Sequence, residues 1–525
     1  MPKSRQSVCG RKSGRSATAP LLAIPGDDGR RRKLPVGYRP IADISIGCEV
    51  RLMRIRWPCP KFLLSGLCTL ALTGSPATAA TGTVSRSTHL SQSIDEIVEE
   101  GRRKLDLPGV SLAVMHGDQV IVAKGYGWAD IAARTPASAS TVYPIGSLSK
   151  QMTAAAVLAL VNRRKIALDE PVETYLPEYR PPDGAQPTIR QLLQQTSGIP
   201  TWDDLPELQD ESDLSKFQLP NVVDVLARHS AAYSAGYWWS YSNSNYTLLA
   251  RMIERVSGMT YDRFLEQSLF APLKLKSTSE CKSRLGWPAG RNLATGYENA
   301  GGNFRPRPMR AASALAMAGA GGICSDALDL ARWARMLVTG RAVGLPAYRE
   351  MTRPTKVRAG FTAPYGFGVS LLPFAGQRAV WHTGVMAGYI SVLVYLPDQD
   401  ITVAALTNSR HVWLHSVVKN VAQAVMGIKA KAVRDLPIPD AEIERSIGAY
   451  DDYMFKFRVY RKGQQLFANI DQLGSPLRLR YQGGHNYATG DPQGFLFHFG
   501  PRTGAVKRVD WEWTELRAFA RPVKH

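Results

Sequence analysis

Metal-ligand patterns are missing from this sequence. It has 6 cysteines and 9 histidines in 525 residues, with no Cys/His cluster at zinc-ligand spacing and no H-E-x-x-H run. Neither a metal nor a cofactor is expected. No G-x-S-x-G nucleophile elbow occurs, which disfavours an α/β-hydrolase. No apolar run reaches the ~20 residues that span a bilayer comfortably. Basic stripes are missing too, although the net charge is +21. Residues 1–80 hold 14 Lys/Arg against 4 Asp/Glu, and acids and bases intersperse thereafter. A nucleic-acid partner is therefore not expected.

What is present begins with a targeting pattern. Arg54, Arg56 and Lys61 precede a mostly apolar stretch, Phe62 to Leu72, and Ala77-Thr78-Ala79 has the small-x-small form of a signal-peptidase site. Residues 53–80 are thus expected to be a signal peptide cut near Ala79, with a periplasmic or secreted product. A membrane tether is the alternative if the segment stays uncleaved. Residues 1–52, rich in Arg, Gly, Pro and Ser, read as a disordered leader or an over-extended start. Past the expected cut only Cys281 and Cys324 remain, either as one disulfide or as two buried thiols.

Periodicity places strands early and late. Residues 92–104 have helical spacing, and Val110–Met115 with Val120–Ala123 read as a hairpin around Gly117-Asp118. Helices are expected near 148–163, 243–256, 260–269, 325–338 and 411–426, and a second hairpin at 389–407. Residues 201–220 read as an acidic surface excursion. The expected fold is α+β: an antiparallel sheet whose first and last strands pair, flanked by helices, with a helical lobe. After a linker at 429–440, the short alternating runs of 441–525 predict a small all-β, barrel-like domain.

Three short motifs bear on chemistry. Ser147-Leu148-Ser149-Lys150 puts a hydroxyl and an amine on one helical face at a helix start. A serine needs its proton removed before it attacks, and a partly buried lysine can lose its own near neutral pH. The same spacing fits a helix-capping serine beside a solvated lysine, and Ser416-Val417-Val418-Lys419 shares it. Tyr241-Ser242-Asn243 precedes a helix. A tyrosine beside an ammonium has a depressed pKa and can accept the serine's proton, whereas Ser-Asn is also common turn chemistry. His382-Thr383-Gly384 precedes the late hairpin, where the glycine permits close approach of a ligand to a strand edge.

In this order the motifs resemble those of the serine β-lactamase and penicillin-binding-protein superfamily: S-x-x-K, a second Tyr-x-Asn element, then K-T-G. The similarity extends over roughly residues 93–427 and is greatest to the branch of class C β-lactamases, D-alanyl-D-alanine carboxypeptidases, D-aminopeptidases and related esterases. The resemblance implies that Ser147 is acylated, Lys150 activates it and Tyr241 relays protons. Asn243 would contact the substrate amide, and His382, Thr383 and Gly384 would line the site. The backbone N–H groups of Ser147 and Val385 would form the oxyanion hole. Ser416 falls after the third motif and is excluded.

One departure has chemical weight: His382 stands where the family has the lysine of K-T-G. A histidine is mostly neutral at pH 7, so binding of a substrate carboxylate should weaken and efficient β-lactam hydrolysis is not expected. The implied substrate is a small molecule or short peptide: a D-amino-acid peptide, a small ester, or slowly a β-lactam. The alternative is a non-catalytic penicillin- or peptidoglycan-binding receptor. The C-terminal strands either shape the site's entrance or bind a partner.

Overall fold

The computed structural model describes residues 23–25, 31–33, 79–208, 218–281, 292–300, 303–307, 317–410, 414–429, 433–451, 456–470, 476–489, 495–499, 509–513 and 516–522. The expected leader lies outside these residues, except for an antiparallel ladder of Ala23–Pro25 with Arg31–Lys33 in a separate unit, Met1–Ile44. The expected signal segment lies outside them up to residue 78.

Helix α1 (Ala79–Lys104) extends the helix expected at 92–104. Ile94 and Val98, one turn apart, are fully buried. Its last turn carries Arg102, Arg103 and Lys104, which suit the negative end of the helix dipole. The hairpin of β1 (Gly109–His116) and β2 (Gln119–Asp130) follows, then the short β3 (Thr135–Pro136). The late strands are β4 (Val380–Met386), β5 (Tyr389–Leu396) and β6 (Ile401–Thr407). They complete one antiparallel sheet in the order β4-β5-β6-β1-β2-β3. Early and late strands join where β6 pairs with β1, in the register Ile401↔His116 to Thr407↔Val110. Edge strand β4 carries the His382 motif, so that motif is part of the sheet.

Side chains alternate across the sheet. Ala113, Met115, Leu393, Ala404 and Leu406 face a core shared with α2 (Ser149–Asn162), α3 (Asn243–Ser257) and α4 (Ala327–Val338). Val110, Leu112, Val114, Val392 and Val403 face the other way, against α1 and α5 (Leu414–Val425), and that cluster continues into the C-terminal domain. There a short helix, α6 (Asp440–Ser446), precedes β7 (Gly448–Asp451), β8 (Lys456–Lys462), β9 (Gln465–Ile470), β10 (Leu477–Gly483), β11 (Asn486–Ala488), β12 (Phe495–Phe499), β13 (Val509–Trp513) and β14 (Leu516–Pro522). These eight strands form a closed barrel, β14 pairing back onto β7. Closure removes the sheet edges that would invite association. Phe457, Leu466, Leu479 and Phe497 are among its buried residues.

Cys281 and Cys324 form a disulfide across 43 residues of sequence. Cys324 lies in the strand Ile323–Ser325, which also pairs with Tyr143–Pro144 just before Ser147.

Candidate active site

The sequence "QMTAAAVLALV" makes α2 apolar on nearly every side, as a helix inside a core must be. Most of its residues are buried, and the first turn takes Lys150 in with them. Lys150 is 0% exposed. Ser147 lies just ahead of it, in the 3-10 turn Gly146–Leu148. Its hydroxyl caps neither helical segment, so the capping alternative does not describe it.

That turn is pressed against strand β4. Gly146 has a φ of +52°, and a Cβ there would stand 2.7 Å from the Val385 nitrogen. At Gly384 a Cβ would stand 1.7 Å from the Ile145 carbonyl oxygen. The close approach permitted by Gly384 is thus made by the chain's own Ile145, where the sequence reading expected a ligand. Ser391 Oγ donates to that same carbonyl at 2.7 Å, and the Ile145 amide donates to Ile323 O at 2.9 Å. Ser147 is therefore fixed between the sheet edge and the disulfide-bearing strand.

The Lys150 amine has three neighbours. It donates to Asn243 Oδ1 and to the Ala320 carbonyl, each at 2.7 Å, and stands 3.1 Å from Ser147 Oγ. The amide and carbonyl oxygens can only accept. Two hydrogens of a neutral amine go to them, and its lone pair is left facing the serine hydroxyl. Burial lowers the pKa of this amine to about 7, although the negative charge of Asp203 works in the opposite direction. Near neutral pH about half of the lysines are then free bases.

Tyr241 differs from the sequence reading, which expected a depressed pKa. Burial pushes its hydroxyl well above the ordinary phenol value, a bond with the Ser147 side chain lowers it, and the Asp203 charge raises it further. The Lys150 amine lies 4.8 Å from the Tyr241 ring centre, but an ammonium present in only about half of the molecules at pH 7 does not offset the burial that disfavours a phenolate. Tyr241 stands beside Ser147 as an O–H group.

His382 is 8% exposed. Its Nδ1–H donates to the Thr383 carbonyl at 2.7 Å, so Nε2 carries the lone pair and accepts the Tyr365 hydroxyl at 3.0 Å. Burial, and then the nearby Lys150 charge, lower its pKa to about 4. At neutral pH it is uncharged. The Thr383 hydroxyl is engaged by His415 Nε2 at 2.5 Å, on α5. Thr383 therefore lies at the site by its backbone, with its side chain occupied elsewhere. Val385 is 40% exposed. Trp381 exchanges backbone hydrogen bonds with Ser370 across the outer edge of β4. By the alternation of an antiparallel ladder, the amides of Thr383 and Val385 point out from the same edge, beside the Ser147 turn.

Asn243 opens α3, and its Nδ2 donates to Asp203 at 2.5 Å. Asp203 belongs to the short turn Trp202–Asp204, inside the segment expected to be a surface excursion; residues 209–217 of that segment lie outside the described residues. The turn is stitched to α3: Asn243 N–H donates to Thr201 Oγ1 at 3.2 Å and Ser244 Oγ to Pro200 O at 2.7 Å. Buried Gln195 adds a second tie, its side-chain oxygen accepting from Ser242 N–H at 3.0 Å and Asn245 Nδ2 at 2.6 Å.

The structure thus brings Ser147, Lys150, Tyr241, Asn243, His382 and the Val385 amide together. Sequence reasoning missed Asp203, Tyr365, Gln195 and the Ala320 carbonyl. None of the four left a local signal, because each reaches the site through a contact distant in sequence.

Comparison with known proteins bears on the family and the fold. The Beta-lactamase family model matches residues 94–422. The D-aminopeptidase of Brucella anthropi is 29% identical over 303 residues, covering 57% of this chain and 56% of that protein. The chain thus spans about half the length of the curated relatives it matches. The octameric penicillin-binding protein homologue from Pyrococcus abyssi is similar with a TM-score of 0.59 at 23% identity, over 82% of this chain and 99% of that one. The D-amino acid amidase from Ochrobactrum anthropi SV3 is similar with a TM-score of 0.56 at 23% identity, over 65% of this chain and 99% of that one. These two share the fold. With more than half of its length matched by the family model, the chain belongs to the Beta-lactamase family.

Proposed function

We propose that the protein is a serine hydrolase of the D-aminopeptidase and amidase type, acting on amides or esters through an acyl-enzyme on Ser147. The observation that carries this reading is the buried Lys150 amine, poised near neutrality with its lone pair toward Ser147 Oγ. The serine oxygen attacks the substrate carbonyl carbon as its proton passes to Lys150. The resulting oxyanion is received by the Ser147 and Val385 amides. Tyr241 gives its proton to the departing amine or alcohol and regains one from the Lys150 ammonium. The bond to the leaving group breaks, and the acyl-enzyme remains. Water then repeats the sequence in place of serine, releasing the acid and restoring Ser147.

D-amino-acid peptides and D-amino-acid amides are the proposed substrates, in keeping with what the relatives are named for, and small esters are proposed with them because the same acyl-enzyme chemistry serves them. β-Lactams are proposed as slow substrates, because neutral His382 supplies no cation for their carboxylate. Export to the periplasm or medium belongs to the same proposal. It is supported by the signal-like segment from Met53 and by the Cys281–Cys324 disulfide, a bond that oxidising compartments favour.

The test is labelling with a fluorophosphonate, read by intact mass. One adduct on the wild type that disappears in Ser147→Ala supports the reading. Equal labelling of both proteins, or none of the wild type, defeats it.

A further inference from the structure

Three side chains from the start of α2 reach one loop. Lys150 donates to the Ala320 carbonyl at 2.7 Å, Ser149 Oγ accepts the Ile323 amide at 3.1 Å, and Thr153 Oγ1 donates to the Gly319 carbonyl at 2.6 Å. Thr153 is 0% exposed and lies one turn beyond Lys150, on the same helical face. A hydroxyl has a single proton. With that proton on Gly319 O, Thr153 accepts from the Tyr261 hydroxyl at 2.7 Å, and the Ser149 carbonyl stands farther off at 3.2 Å. Two successive carbonyls of the loop are thus taken by Thr153 and Lys150.

We propose that Thr153 is a positioning residue for the reaction: by holding Gly319, its hydroxyl aims the Ala320 carbonyl at the Lys150 amine and so keeps the lone pair of that amine on Ser147. This rests on the serine-hydrolase reading above. The rest of the loop is closely held. Gly319 has a φ of +79°, and a Cβ there would stand 2.2 Å from the Tyr246 carbonyl oxygen. The amides of Ala320, Gly321 and Gly322 all donate to Met317 O, at 2.7 to 2.9 Å. Gly319 is buried, so its carbonyl is costly to leave unpaired. Without the Thr153 hydroxyl it turns to find another donor, and the Ala320 carbonyl turns with it.

The consequence is read at Lys150. A carbonyl holds an ammonium more tightly than a neutral amine. Its withdrawal therefore favours the free base and moves the titration of Lys150 to lower pH. The other groups around the amine are Ser147, Asn243 and Tyr246 on α3, Tyr241, the Asp203 charge and His382 on β4. The hydrogen bonds of the Thr153 hydroxyl go to Gly319, Ser149 and Tyr261 instead.

The experiment labels the whole chain with a fluorophosphonate across pH 5.5–9.5 and reads it by intact mass. Thr153→Val keeps the shape and loses the hydroxyl, and Thr153→Ala loses it where valine fails to fold. The wild-type rate is expected to gain about 10-fold from pH 6 to pH 8. Without the hydroxyl the midpoint is expected to fall by about one pH unit, leaving a gain of about 2-fold. Thr153→Ser should restore the wild-type profile. Tyr261→Phe removes the other partner of Thr153 and spares the Gly319 bond, so its midpoint should stay. An unchanged or raised midpoint without the hydroxyl, an equal fall in Tyr261→Phe, or failure of both hydroxyl-free proteins to fold overturns the proposal. A labelled wild type with no plateau by pH 9 overturns it together with the role of Lys150. A wild type that takes no label overturns the hydrolase reading beneath it.

Discussion

Fluorophosphonate modification of Ser147 reports directly on the state of Lys150, because the reagent carries no titrating group of its own. The Lys150 pKa falls from 10.5 to about 7, with burial as its largest cause. That shift of roughly 3.5 units is worth about 5 kcal/mol between the charged and neutral forms. The free-base fraction is then ~9% at pH 6, ~50% at pH 7 and ~91% at pH 8. If Lys150 is the base, the second-order labelling rate rises about 10-fold from pH 6 to pH 8 and less than ~10% more by pH 9. An ordinary lysine gives about 100-fold over the first interval and no plateau. A phenolate base gives no plateau below pH 9 either, because Tyr241 is raised above its usual value. Stopped labelling across pH 5.5–9.5, quantified by intact mass, makes the measurement. Tyr241→Phe should keep the plateau while slowing turnover of amides. A rate that climbs tenfold per pH unit through pH 9, or one that does not vary, refutes the assignment of Lys150.

Gly384→Ala forces its new methyl against the Ile145 carbonyl, 1.7 Å from the ideal Cβ. The Ser147 turn must shift, and labelling should slow by about 100-fold, as a displacement of ~1 Å can cost, with circular dichroism unchanged; near-normal labelling counts against the role given to this contact. Replacing Cys281 by serine opens a closure spanning 43 residues. Chain entropy then predicts a loss of about 4 kcal/mol, read from urea unfolding without reductant; an unchanged midpoint contradicts it. His382→Lys should raise kcat/KM for carboxylate-bearing β-lactams about 10-fold, the worth of a charged contact, measured with nitrocefin. No gain with any such substrate counts against the charge argument.

Much of the sheet was legible because its strands are local patterns. Apolar runs on either side of turn residues marked both hairpins, and β6 does pair with β1. An all-β, barrel-like domain was foreshadowed by short alternating runs between turn residues, but its eight-strand count and α6 were not. The Ser147–Lys150 pair was visible as a spacing, yet Ser416–Lys419 shares that spacing. What separates them is burial: α2 is apolar almost throughout and takes Lys150 into the core. Three features depend on distant contacts and left no local trace. Tyr365 reaches His382 across 17 residues, Ala320 O meets Lys150 across 170, and Asn243 meets Asp203 across 40. The expected role of Tyr241 as an ionised acceptor was misread for the same reason. Sequence shows the neighbouring lysine, but desolvation decides which of the two groups is charged.

The central claim is that Ser147 carries the acyl group during turnover. Rapid acid quench of the whole chain with an activated D-aminoacyl ester, followed by intact and peptide mass spectrometry, tests it most directly. The account predicts a mass gain equal to the acyl group, confined to the peptide containing Ser147, transient in wild type and absent in Ser147→Ala. Product formation at the wild-type rate in Ser147→Ala, or an adduct on any other residue, contradicts it.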